Sequence, residues 1–256
     1  MTELKPLEYI TVETGTNPKY TVIWLHGLGA DGHDFEGIVP ELGLPAERSF
    51  RFIFPHAPVI PVTINGGYQM RAWYDILKMD FRREVDGRTI QHSCQLVKNL
   101  IESQIETGTQ SEHICLAGFS QGGVIAAQLG VTLPYRIAGV ICLSSYVADT
   151  GRIMPAVQSA NAKTPFFFAH GEEDNVVPFE LGQEGADFLT NRATGESTLT
   201  EQAEFQSGKG STLSRVSEKI PDSAVALHVD AGYRRPAYRV RGYGAPALLD
   251  ICGVCL

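Results

Sequence analysis

From its start to about residue 192, the chain alternates short apolar runs with longer amphipathic stretches, the rhythm of successive βαβ units. Tyr20–Leu25 (YTVIWL) is β-branched and aromatic, reads as a strand, and stops at His26-Gly27. Phe50–Phe54 (FRFIF) reads as a second strand, closed by Pro55 and Pro58. The stretch Arg88–Thr107 predicts a helix, because Ile90, Cys94, Val97 and Ile101 recur at helical spacing and Gly108 follows as a stop. His113–Gly118 predicts a buried strand and Gly122–Leu133 a helix of small residues ending before Pro134. Ile137–Ser144 and Pro165–Ala169 predict two more strands, and Pro178–Arg192 a helix with its proline in the first turn. Strands this continuously apolar suit a mainly parallel sheet with helices on both faces. Ala57–Phe81 is too long and too rich in Pro and Gly for a tight connection, and is expected to be a lid or binding loop.

The pattern weakens after Ala193. Thr194–Ser217 is rich in Ser, Thr, Gly and Glu, and from Tyr233 the chain reads YRRPAYRVRGYGAP. That basic-aromatic strip would suit a binding element, but an incidental tail accounts for it better. Charge follows the same division. Residues 1–202 carry 14 basic and 24 acidic side chains, and residues 203–256 carry 7 and 5, giving the whole 256-residue chain a formal charge of −8. An acidic chain disfavours nucleic acid as a partner. No run approaches the roughly 18 apolar residues of a membrane span, and MTELKPLEYI lacks the apolar core of a signal peptide. Five scattered cysteines argue against a secreted disulfide scaffold, so a cytoplasmic setting is expected. Cys252-Gly-Val-Cys255 resembles a redox or metal pair, but one such pair at a terminus carries little weight.

One pentapeptide carries chemistry: Gly118-Phe119-Ser120-Gln121-Gly122. A buried strand runs into it and a small-residue helix runs out, the strand–turn–helix of a nucleophile elbow. Ser120 would stand exposed at the positive end of that helix. The tetrahedral intermediate formed on it needs two N–H donors. Gln121, which follows the nucleophile, supplies one, and the second is expected from His26-Gly27-Leu28-Gly29-Ala30 after the early strand. His26 reads as a structural histidine of that loop. A metal site of His26 and His33 lacks a carboxylate frame, so no metal is expected. The triad acid should lie just beyond a later strand, where Glu172, Glu173 and Asp174 compete.

VIWLHGLGADGHDF (22–35), FPHAP (54–58) with MRAWYD (70–75), LAGFSQGG (116–123) and HGEEDNVVP (170–178) resemble the phospholipase/carboxylesterase family. These are small α/β-hydrolases that include bacterial carboxylesterases and acyl-protein thioesterases. The resemblance implies a single α/β-hydrolase domain, with Ser120 as nucleophile and Asp174 as acid. It implies Leu28 and Gln121 as oxyanion-hole donors, and Met70, Trp73 and Tyr74 as the wall of an acyl pocket. It implies no cofactor and a small-molecule ester, carboxylic or thio, as partner; a homodimer stays open. Residues 1–192 form the recognisable hydrolase body, and 193–256 an atypical segment that completes or flanks it.

The base is where the pattern breaks. Lys209-Gly210-Ser211-Thr212-Leu213 stands where the family carries a Met-Gly-His-Ser type motif, so Ser211 takes the histidine's place. One histidine follows Asp174, namely His228, within Val225–Val229 (VALHV), which reads as a strand. Three outcomes stay open. His228 returns to the site as base; the triad is broken, leaving a hydrolase-fold binding protein; or an upstream histidine such as His33 or His56 reaches it.

Overall fold

A computed structural model of the chain describes residues 4–79, 83–153, 159–171, 174–194 and 224–229, with 159, 190–194 and 224–229 as backbone. The strands are β1 (Tyr9–Glu13), β2 (Tyr20–Leu25), β3 (Phe50–Pro55), β4 (Val59–Val62), β5 (Tyr68–Arg71), β6 (Ile76–Lys78), β7 (Glu84–Val85), β8 (Ile114–Phe119), β9 (Gly139–Leu143), β10 (Phe166–Gly171) and β11 (Ala224–Val229). The helices are α1 (His33–Glu36), α2 (Gly87–Glu106), α3 (Gln121–Thr132), α4 (Thr150–Ile153) and α5 (Phe179–Thr194). Seven strands form one sheet in the order β1-β3-β2-β8-β9-β10-β11. The block from β3 to β10 is parallel, and an antiparallel strand lies at each edge. This is the mainly parallel sheet that the apolar runs predict and the α/β-hydrolase architecture that the family resemblance implies.

Side-chain alternation along the central strands splits the interior in two. Ile23, Leu25, Leu116, Val140, Cys142, Phe166 and Phe168 face one layer, which also takes Val97, Ile101, Val124, Leu181 and Leu189 from α2, α3 and α5. Val22, Trp24, Phe52, Phe54, Cys115, Ala117 and Ile141 face the other, where Val39, Leu42 and Phe35 cover them. The strands are therefore apolar on both faces, the reason they read as continuous runs.

Five strands were not visible in the pattern: β1 and the four that follow β3. The half-exposed β1 pairs antiparallel with β3, a polar-alternating edge whose sequence, YITVE, carries a weak signal. The expected long loop 57–81 contains the β4–β5 hairpin and then β6, which pairs with β7. It is ordered by its own ladders, with Asp75 accepting from the Thr63 amide and hydroxyl at 2.7 and 2.6 Å.

Candidate active site

β8 ends at Phe119 and α3 begins at Gln121, so Ser120 alone makes the turn, at φ 51° and ψ −114°. A side-chain-bearing residue held at positive φ costs about 1–3 kcal/mol and persists only where its surroundings over-determine it. Here they do. The Ser120 N–H donates to the Leu143 carbonyl at 2.9 Å, and its own carbonyl accepts from Gly123 N–H at 3.1 Å and Ser145 Oγ at 2.8 Å. The flanking glycines are steric necessities: a Cβ on Gly118 would collide with the Gly122 backbone, and one on Gly122 with the Leu25 carbonyl.

The loop after β2 lies against this turn, where a Cβ on Gly27 would stand 3.6 Å from the Ser120 Cβ. Gly29, at φ 78°, turns the loop back, and its N–H donates to the Arg71 carbonyl at 2.9 Å. His26 fixes the loop's root. Its Nδ1 donates to the Gly27 carbonyl at 2.7 Å, and its Nε2 accepts from the Ala57 N–H at 3.0 Å. With both ring nitrogens committed, the ring is neutral, and burial lowers its pKa below the ordinary value. Among the described residues the Leu28 and Gln121 amides donate to no acceptor, which leaves both available to a developing oxyanion beside Ser120.

Asp174 follows β10 on the same sheet edge. Its Oδ1 accepts the N–H groups of Val176 and Val177, both at 2.8 Å. Its Oδ2 accepts no hydrogen bond among the described residues and lies 3.7 Å from His170 Nε2. Glu172 and Glu173 lie outside the described residues.

No described histidine stands between Ser120 and Asp174. β11 runs antiparallel to β10, with Ala224 opposite Gly171 and His228 opposite Phe167. Ser120 is level with His170, because Phe119 pairs with Leu143 and Leu143 with Ala169. The His228 backbone is thus about 10 Å down the strands from Ser120 and about 14 Å across them. That register sets the His228 backbone apart from the Ser120 turn. The upstream histidines have partners of their own. His56 Nδ1 accepts the Gly32 N–H at 3.0 Å and His33 Nδ1 pairs with Glu36 at 3.1 Å, both on the β3 side of Ser120, away from Asp174. His170 is nearest to Asp174, but its Nε2 donates to the Val177 carbonyl at 2.7 Å, and its unpartnered Nδ1 is packed against Gly182 of α5.

Two of the three residues expected in the acyl wall are buried. Trp73 and Tyr74 are 1% and 0% exposed and belong to the core. Trp73 Nε1 donates to the His26 carbonyl at 2.9 Å, and the Tyr74 hydroxyl meets that of Tyr146 at 3.0 Å. Met70 lies against the same loop farther along, its sulfur 3.9 Å from where a Gly29 Cβ would stand. Sequence reasoning missed Arg83, whose guanidinium lies 5.6 Å from the Tyr146 ring centre and donates to the Val176 carbonyl. One of two adjacent arginines in FRRE offers no pattern that would single it out.

Comparison with known proteins bears out the fold. The family model described as Phospholipase/Carboxylesterase matches residues 8–220. Acyl-protein thioesterase 1 of Saccharomyces cerevisiae is 34% identical over 210 residues, covering 80% of this chain and 90% of that protein. The Emericella nidulans protein of the same name is 40% identical over 179 residues, covering 65% and 74%. The crystal structure of Arabidopsis thaliana SOBER1 aligns with a TM-score of 0.64 at 31% identity, covering 68% of this chain and 83% of its own. Zea mays acyl-protein thioesterase 2, at 24% identity and a TM-score of 0.62 over 72% and 84%, shares the fold. The chain belongs to the phospholipase/carboxylesterase family of α/β-hydrolases.

Proposed function

We propose that the chain hydrolyses short- to medium-chain carboxylic esters, and acyl thioesters of the kind named for its relatives, through an acyl-enzyme on Ser120. The observation that carries this reading is the strained Ser120 turn with the Leu28 and Gln121 amides beside it. Ser120 Oγ attacks the acyl carbonyl, and the two amides hold the oxyanion at the positive end of α3. The leaving alcohol or thiol departs, and water then releases the acid. Asp174 Oδ2 is positioned to orient a base above the neighbouring strand end. Without that base, the oxyanion hole and substrate binding sustain roughly 10³–10⁴-fold acceleration over water. The acyl chain lies along the oxyanion loop by Met70, since Trp73 and Tyr74 are closed off.

The reading carries a cytoplasmic setting, which the buried free thiols of Cys94 and Cys142 support. It invokes no nucleic acid. Pairing with a second copy is compatible with it, and light scattering of the purified chain would decide that point.

The test is turnover of p-nitrophenyl butyrate and of a matched thioester by the purified chain alongside Ser120→Ala. We expect turnover that Ser120→Ala removes. Equal rates for the two proteins would identify a hydrolase-fold binding protein instead.

A further inference from the structure

We propose that the cavity between the N-terminal segment, the turn after β3 and α2 binds an organic carboxylate with a compact apolar body. The cavity has a volume of about 430 Å³, within the span of small-molecule sites. Its wall is made of two kinds of side chain. Leu7, Pro58 and Leu96 supply apolar surface, while Lys5, His56, Arg71 and His92 supply hydrogen-bond donors. A carboxylic acid is also what ester hydrolysis releases. That connection rests on the Ser120 reading; the binding does not.

The placement of charge favours an anion over a neutral or cationic guest. Glu8 is the one carboxylate among the described lining residues, and Lys5 answers it at 3.3 Å. Arg71 is then the uncompensated charge of the wall. Its Nη1 donates to the Ala57 carbonyl at 2.9 Å, and its guanidinium forms no ion pair among the described residues. Asp31 is close enough to feel this charge, yet its Oδ1 is occupied by the His33 N–H at 2.8 Å. A guanidinium carries five N–H groups in a planar fork, so those that remain match the two oxygens of a carboxylate.

The donors are held in place before any guest arrives. His56 Nδ1 accepts the Gly32 N–H at 3.0 Å, which in the neutral ring puts the hydrogen on Nε2 as a donor. The His56 N–H donates to the Glu8 carbonyl at 2.8 Å, tying the N-terminal wall to the same residue. Ala57, which pins Arg71 through its carbonyl, is itself pinned by its N–H to His26 Nε2 at 3.0 Å. Groups fixed in this way lose little freedom on binding.

The experiment is isothermal titration calorimetry of the full chain with phenylacetate, with phenylacetamide and inorganic phosphate as companion probes. We expect phenylacetate to bind with a dissociation constant on the order of 1 mM, the affinity its size allows. Phenylacetamide keeps the body and lacks the charge, phosphate the reverse, and each should bind at least about 10-fold more weakly. Arg71→Met should weaken phenylacetate about 10-fold or more, and Arg71→Lys should recover part of that loss. His92 is exposed on α2, so His92→Glu sets a like charge on the wall without risk to the fold and should weaken binding several-fold. No heat from phenylacetate at tens of millimolar overturns the proposal. Equal binding of acid and amide does so too, as does an affinity untouched by both Arg71→Met and His92→Glu. Phosphate binding as tight as that of phenylacetate would mark a general anion site and refute the apolar half of the assignment. Competitive inhibition of ester turnover at a constant equal to the measured Kd would place the acid in the ester site instead.

Discussion

The side-chain amide of Gln121 is bonded to the backbone of Trp73: its Oε1 accepts the Trp73 N–H at 3.0 Å, while its Nε2 donates to the next carbonyl, that of Tyr74, at 2.8 Å. The residue proposed to offer its backbone N–H to the oxyanion is thereby tied, through its own side chain, to the segment that follows the β4–β5 hairpin. Trp73 closes the circuit by donating from Nε1 to the His26 carbonyl, at the root of the loop bearing the other oxyanion donor. Both amides are held by one buried aromatic.

Gln121→Glu should therefore damage stability and catalysis together. A carboxylate can accept the Trp73 N–H but sets an acceptor against the Tyr74 carbonyl. An unsatisfied buried acceptor costs about 1–3 kcal/mol, more with charge. We expect a lower thermal midpoint and a kcat reduced by about 10-fold or more, since small displacements of a donor weaken oxyanion binding. Differential scanning fluorimetry and ester turnover read the two effects. An unchanged midpoint would show that the amide bridge does not brace the elbow.

Gly122→Ala provides a sharper steric test. The new methyl would overlap the backbone carbonyl of Leu25, which cannot rotate away as a side chain could. The cost should exceed about 3 kcal/mol, the upper range for overpacking, and leave little soluble protein. Gly37→Ala is the matched control, because Gly37 has φ −70° and nothing stands within 4 Å of its Cβ position. Its midpoint should stay within a degree or two of the parent, or rise slightly. Chemical denaturation of both proteins makes the comparison.

Arg83 should act on Asp174 through Val176. Its guanidinium donates to the Val176 carbonyl, while the Val176 N–H donates to Asp174 Oδ1, so the same peptide unit pair joins both residues. Arg83→Met removes the donor and leaves the carbonyl unanswered, which should lower kcat several-fold through a looser Asp174. In an Asp174→Asn background the additional loss should be small, because residues acting on one group are not additive. A full, additive penalty in the double variant would assign Arg83 a purely structural role.

The elements that sequence periodicity reveals are those buried on both faces. β2, β3, β8, β9 and β10 stand within two residues of the runs that predicted them, because a fully buried strand needs apolar side chains at every position. The nucleophile turn was equally legible, since Gly118 and Gly122 answer a steric demand that admits little else. Long-range partnerships were not legible. Nothing local distinguishes a Trp that lines a pocket from one that braces a loop, and Trp73 proves to be the latter. VALHV reads correctly as a strand, yet its direction and register depend on the pairing with β10 that local sequence does not encode.

His26 gives the fold a predictable acid sensitivity. Burial lowers its pKa in the native state below the 6.5 of an exposed histidine, and both nitrogens are satisfied only in the neutral form. Above pH 6.5 neither state protonates this ring, and it contributes no pH dependence. As pH falls below 6.5, the unfolded chain takes up a proton that the native state refuses, so stability declines until pH passes the depressed native value. The slope from this one residue is at most about 1.4 kcal/mol per pH unit. His26→Gln should be less stable at pH 8, because a glutamine amide cannot reproduce both ring contacts. It should also lose this part of the decline between pH 6.5 and 5. Urea unfolding at half-unit pH intervals compares the two slopes. Parallel curves for parent and variant would mean that His26 is not the group being titrated.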